Sequence, residues 1–98
     1  MNITDVRIRK LHNDSRMKAV VSLTIDDAFA IHDIKIIEGQ NGLFVAMPSR
    51  RIGDDEFRDI AHPINSETRV FLQDLIFEHY NRISEPSEIV STVQFSVE

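Results

Sequence analysis

Apolar and polar residues alternate along the first quarter of the chain. Thr4, Val6 and Ile8 mark one face of a first strand, with Asp5, Arg7 and Arg9 on the other. Met17, Ala19, Val21, Leu23 and Ile25 mark the apolar face of a second. A two-residue period is what a half-buried strand needs, because successive side chains point to opposite faces. Between the two, His12-Asn13-Asp14-Ser15 reads as a turn. Pairing Leu11 with Arg16 sets Ile8 opposite Ala19, Val6 opposite Val21 and Arg9 opposite Lys18. That last pair opposes like charges, which is mildly destabilising unless an anion sits over them.

Residues 28–38 predict a third strand whose apolar phase slips, from Phe29 and Ile31 to Ile34 and Ile36. A bulge at His32-Asp33, or burial on both faces, accounts for the slip. Gly39-Gln40-Asn41-Gly42 reads as a hairpin turn. Its G-x-x-G spacing also matches a clamp used by single-stranded nucleic-acid modules, but that clamp lies between helices and here strands flank it. Leu43 to Met47 is uninterruptedly apolar, as a strand covered on both sides would be, and Pro48 ends it. Ser49 to Glu56 reads as a charged loop, and Phe57 to Ala61 as a short strand stopped by His62-Pro63.

A helix then starts at the N-cap Ser66, with Asn65 a second candidate, and runs to Ile83. Leu72, Leu75, Ile76 and Ile83 form one stripe, Val70 and Phe77 lie nearly opposite, and Tyr80 falls between. A helix apolar on so many sides needs more than one packing partner. This predicts a homodimer with Val70, Phe77 and Tyr80 at its interface. After Ser84-Glu85-Pro86, Ile89, Val93, Phe95 and Val97 alternate with polar residues. They read as a last strand or as a tail ordered by a partner. The fold class is therefore α+β: an antiparallel meander of about five strands, one main C-terminal helix and a tail strand, assembled as a dimer. Residues 1–83 form the domain and 84–98 the tail.

Ninety-eight residues allow one domain, and 42% apolar with 28% charged residues is ordinary globular usage. With no cysteine, disulfides and cysteine-based zinc sites are impossible and a reducing compartment is the natural setting. No apolar run reaches the roughly 20 residues of a membrane span, and the start resembles no signal peptide. These points predict a cytoplasmic protein without membrane insertion. The net charge of −5 has the wrong sign for an obvious nucleic-acid binder. It is unevenly spread: residues 1–62 hold nine basic and ten acidic side chains, residues 63–98 two and six.

Candidate chemistry is sparse. None of the four histidines has the i, i+4 spacing of a helical metal pair. His32 and Asp33 are strand neighbours pointing apart, and His79 reads as a core-edge residue. No Gly-x-Ser-x-Gly elbow is present, and Asp54-Asp55-Glu56 reads as a solvated acidic loop. No catalytic residue, metal or cofactor is expected, and the protein is read as a non-enzyme. What remains is Ser49-Arg50-Arg51, arginines placed directly after a rigid strand and Pro48. Arginine forks suit phosphate. Arg7, Arg9 and Arg58 extend the same candidate basic face.

Three segments together resemble one family. Thr4-Asp5-Val6-Arg7-Ile8-Arg9 resembles the opening of the SpoVG family, the stage V sporulation protein G or septation protein group. The run from Gly39 through Met47-Pro48-Ser49-Arg50-Arg51 is similar to its central signature, and Glu56 to Ser66 to its second. The likeness spans roughly residues 1–83, and the tail carries none. It implies a small dimeric α+β cytoplasmic regulator, linked to septum formation and, in spore formers, to sporulation, that binds DNA or RNA. It further implies that Arg50 and Arg51 match binding positions in the loop and Arg69 a basic position early in the helix. Beside Arg69 stand Val70 and Phe71, where relatives often carry Lys or Arg, and the exposed helical arc is acidic. The rival expectation is a protein-interaction module that serves a division or regulatory partner without touching nucleic acid.

Overall fold

Strand β1 (Asn2–Lys10) pairs antiparallel with β2 (Met17–Ile25), β2 with β3 (Phe29–Gly39), and β3 with β4 (Gly42–Ala46). In this computed structural model residues 2–11, 15–83, 89–92 and 95–96 are described, the last two segments by their backbone course. The meander thus has four strands, not five. Along the other edge of β1 run β7 (Ile89–Thr92) and β8 (Phe95–Ser96). The tail therefore adds to an edge of its own sheet, with Ile8 opposite Val90 and Ile3 opposite Phe95. Val93, Val97 and the expected inward facing of the tail's side chains lie outside the described residues, as does the 12–14 turn.

The β1–β2 register differs from the expected one by two residues. Val6 faces Leu23, Ile8 faces Val21, and Arg9 faces Val20 rather than Lys18. An even shift keeps every side chain on its face, so apolar alternation alone permits either register. Lys18 instead lies 3.9 Å from Glu38. Ile3 rather than Thr4 joins the core, because β1 bulges between Ile3 and Asp5. Thr4 is released to accept a hydrogen bond from the Asp27 amide at 2.9 Å.

The β2–β3 turn uses Asp26 and Asp27, both left-handed (φ 53° and 52°), and Asp26 also accepts from the Asn2 amide at 3.1 Å. The phase slip in β3 is a bulge: Val21 pairs Ile34 but Leu23 pairs Ile31, leaving one extra residue on β3. Asp33 takes it up at φ 64°, a conformation Asp tolerates better than bulkier residues. The Gly39–Gly42 turn closes as read, with Gly42 at φ 115° and the two glycines paired. Strand β4 is not covered on both sides. It is an edge strand, and Leu43 and Phe44 are exposed.

Helix α1 (Ser66–Asn81) is capped by Asn65, whose side chain accepts from the Thr68 amide at 2.7 Å. It buries Leu72, Leu75 and Ile76, with Ile83 just beyond, against Ile3, Val6, Ile8, Ala19, Val21, Leu23, Ile34 and Ile36. Each large aliphatic buried this way contributes roughly 1.5–3 kcal/mol. His79 is fully buried rather than at the core edge, and its Nδ1 donates to the Leu75 carbonyl at 2.8 Å. Phe77 and Tyr80 pack partly against this core, whereas Val70 is 53% exposed. Lys10 fastens strand to helix end: its Nζ sits 4.8 Å above the Tyr80 ring and donates to the Ile83 carbonyl at 3.1 Å.

Candidate nucleic-acid interface

The segment expected to be a charged loop is mostly a β-ribbon. β5 (Ser49–Arg51) pairs antiparallel with β6 (Phe57–Asp59), apart from the main sheet. Its base is closed by the Ile60 amide donating to the Pro48 carbonyl at 2.7 Å, its tip by Ile52 donating to Glu56 at 2.9 Å. Alternation along three-residue strands is too short to be read from sequence.

The ribbon separates the two adjacent arginines. Arg50 stands directly opposite Arg58, while Arg51 pairs with Phe57 and so points to the other face. Arg51 is already engaged: its Nε donates to the Gly53 carbonyl at 2.8 Å, and a second guanidinium nitrogen donates to the Asp54 carbonyl. It staples the acidic tip. Arg50 and Arg58 are exposed and have no hydrogen bond or ion pair among the described residues. Two like charges directly opposed across a ladder cost a fraction of a kcal/mol, roughly 0.2–1. An anion between them reverses the sign of that term.

Arg7 and Arg9 lie elsewhere, on the sheet face that the helix leaves open. Arg7 Nε is 3.0 Å from Asp5 Oδ2, which satisfies part of its charge. Arg9 has no such partner among the described residues. Lys35 joins it on this face, since the register runs Arg9, Val20, Lys35, Ala46 across four strands. Lys35 is not among the candidates that the sequence singles out. Once the bulge at Asp33 shifts the phase, odd positions of β3 point outward, and that shift is the signal that could have found it. Arg69 sits exposed in the first turn of α1, beside a surface hollow with His62, Ile64 and Asn65. The six predicted binding arginines thus fall on three surfaces. Arg50 and Arg58 are paired across the ribbon, and Arg7 and Arg9 border one hollow on the open sheet face.

Among the described residues no three His, Asp or Glu side chains cluster as metal ligands. Ser22 Oγ and His32 Nδ1 are 3.0 Å apart on the open face, and His62 Nδ1 donates to the Pro63 carbonyl at 2.9 Å. His12 lies outside the described residues. No helix among them is long and apolar enough to cross a membrane.

The SpoVG family model matches residues 1–82. Relatives carrying the name "Putative septation protein SpoVG" include one from Alkaliphilus oremlandii, 62% identical over 90% of this chain and 95% of its own length. The Staphylococcus aureus relative is 60% identical over 87% of this chain and 85% of its own, and that of Bacillus pumilus 54% identical over 92% of each. Those names denote septation proteins and no enzymatic activity. The family match covers both arginine strands and the helix, stops short of the tail, and leaves one conclusion: the chain belongs to the SpoVG family.

Proposed function

We propose that this protein is a cytoplasmic, non-enzymatic, homodimeric regulator that binds DNA or RNA through arginine–phosphate contacts and thereby influences septum formation and, in spore formers, sporulation. The observation that carries this reading is the directly opposed pair Arg50 and Arg58. A phosphate oxygen set between two guanidinium forks accepts charge-assisted hydrogen bonds from both, the geometry that arginine favours over lysine. Two-fold symmetry doubles the site. Arg51 supports the ribbon rather than the ligand, and Arg69, Arg7 and Arg9 serve as separate contact points. Asp54, Asp55 and Glu56 at the tip repel phosphate and limit how the ribbon approaches it.

The test is the salt dependence of binding. Removing one arginine–phosphate pairing lowers the log–log slope by about one unit on duplex DNA, and in a dimer each substitution removes two. Arg50→Ala with Arg58→Ala should weaken binding on every sequence and leave the fold intact. Unchanged binding by the double variant at all salt concentrations removes the ribbon from the site. The dimer is proposed to cover Val70, Phe77 and Tyr80; a folded monomer at micromolar concentration in sedimentation refutes it, and Phe77→Asp should cost both dimer and fold.

A second reading has its own observation. Phe57, Ile60 and Ile64 are each exposed by two-thirds or more, at 67%, 67% and 90%. An apolar surface of this kind on a chain of net charge −5 suits a protein partner in division. Binding through it should barely respond to salt.

A further inference from the structure

We infer that the open face of the four-stranded sheet is a platform for single-stranded nucleic acid, with Arg9 and Lys35 as its phosphate contacts and the hollow beside Val20 as a nucleobase seat. This rests on the nucleic-acid reading above but assigns it another surface and one form of ligand.

The face is built from residues one position out of phase with the core. Its central row is Arg9, Val20, Lys35 and Ala46, adjacent across β1, β2, β3 and β4. A second row joins Met17, Ile37 and Phe44. Strands stand about 4.8 Å apart, so Arg9 and Lys35 flank Val20 with their backbones about 10 Å from one another. Neither cation has a hydrogen bond or ion pair among the described residues. Of the carboxylates nearby, Asp5 is taken by Arg7 at 3.0 Å, and Asp33 sits in the bulge at the far end of the Ser22–His32 pair. Helix α1 packs on the opposite face, and here Arg7, Arg9 and Lys35 outnumber Asp5, so a chain of net charge −5 presents a local excess of positive charge.

On the β1–β2 side of this row, beside Arg9, the surface is apolar and concave. A hollow of about 430 Å³ is bordered by Arg7, Arg9, Leu11, Met17, Val20 and Ser22. That is within the range of small-ligand sites. The Phe44 ring, 44% exposed, lies across Gly39, where an added Cβ would come within 3.1 Å of it. Gly39 thus leaves room for the partly exposed ring beside it.

Alternating cations and apolar seats discriminate between ligands. A duplex turns phosphates and sugars outward and hides the faces of its bases, so Leu11, Met17 and Val20 would gain nothing against it. A single strand offers a phosphate and an unstacked base face at each residue, and every base has such a face. The arrangement matches that repeat.

The experiment measures anisotropy of a labelled twelve-residue oligothymidylate, an oligoadenylate RNA and a twelve-base-pair duplex on the full-length protein across a salt series. The unmodified protein should hold both single strands about tenfold more tightly than the duplex. Arg9→Glu with Lys35→Glu should weaken single-strand binding by at least about tenfold, and Arg9→Ala with Lys35→Ala should lower the single-strand slope by about 0.7 per cation removed. The alanine pair also guards against a charge-reversal variant that misfolds, and an unchanged urea midpoint certifies its fold. Equal affinity for duplex and single strands, or single-strand binding untouched in the alanine pair, overturns the platform. If only the Arg50/Arg58 substitutions weaken binding, the proposed function stands and the platform falls. If nothing binds at any salt concentration, both fall. Equal binding of an oligoglutamate peptide of the same charge marks the face as a general polyanion surface and also overturns it.

Discussion

The two faces of the β1–β4 sheet are made from the same strands, one residue out of step, and have opposite characters. Val6, Ile8, Ala19, Val21, Ile34 and Ile36 on the helix side are wholly buried. Arg7, Arg9, Val20, Ser22 and Lys35 on the other side are all at least partly exposed. The inner face is fixed by close packing, where a methylene missing on one side is felt by every neighbour. The outer face has no such neighbour, so its residues answer to solvent or to a ligand. The pleat itself divides the packed residues from the exposed ones.

The sharpest way to break that comparison is to cut both faces at the same depth. Ile8→Ala and Ile76→Ala, on the packed side, should each cost about 2–5 kcal/mol in urea unfolding. Adjacent Val21→Ala and Val20→Ala then differ only in face. The first should be clearly destabilising, and the second should cost under about 1 kcal/mol. If the two valines cost the same, the open face is packed in solution and a partner, such as a second subunit, covers it.

Helix attachment is next in size. Asn65→Ala removes the side-chain acceptor for the Thr68 amide and should cost about 1 kcal/mol. At the other end of the helix, burial first and the charge of Glu38 second hold the Tyr80 phenol above its ordinary value of 10. A raised pKa stabilises the fold fully below the unfolded value and forfeits that contribution as pH climbs through the folded one. The urea midpoint should therefore fall above about pH 10, by less in Tyr80→Phe. The smallest expected effect is at the bulge. Asp33→Gly relieves a left-handed residue at φ 64° but loosens the unfolded chain, and the two should nearly cancel, within about 0.5 kcal/mol.

Much of the fold was legible in the chain. The hairpin at Gly39–Gly42, the helix from residue 66 and the separation of Arg7 and Arg9 from the core all follow from periodicity and turn chemistry, and the phase slip at His32-Asp33 had a bulge as one of its two readings. The β1–β2 register did not follow, because a two-residue shift leaves the apolar pattern unchanged and the turn residues His12-Asn13-Asp14-Ser15 do not by themselves fix the length of the connection. The ribbon was also hidden. Ser49-Arg50-Arg51 has no apolar alternation, and its pairing with Phe57-Arg58-Asp59 arises from backbone closure at Pro48 and Ile60. For the candidate site, the ribbon leaves Arg51 hydrogen-bonded to the Gly53 and Asp54 carbonyls and sets Arg58 directly opposite Arg50.

By itself the sequence determined the class of the molecule. Local periods of two and 3.6 residues, a helix start at Asn65-Ser66 and a glycine turn act over a few neighbouring residues, and so are written in order along the chain; that Asn65 rather than Ser66 is the cap was settled by the structure. Tertiary structure decided which charges meet. Arg50 and Arg58 are eight positions apart, and Arg9, Val20, Lys35 and Ala46 come from four strands. Their juxtaposition depends on register and on one bulge, and a single extra residue in β3 is what turns Lys35 toward Arg9 rather than into the core.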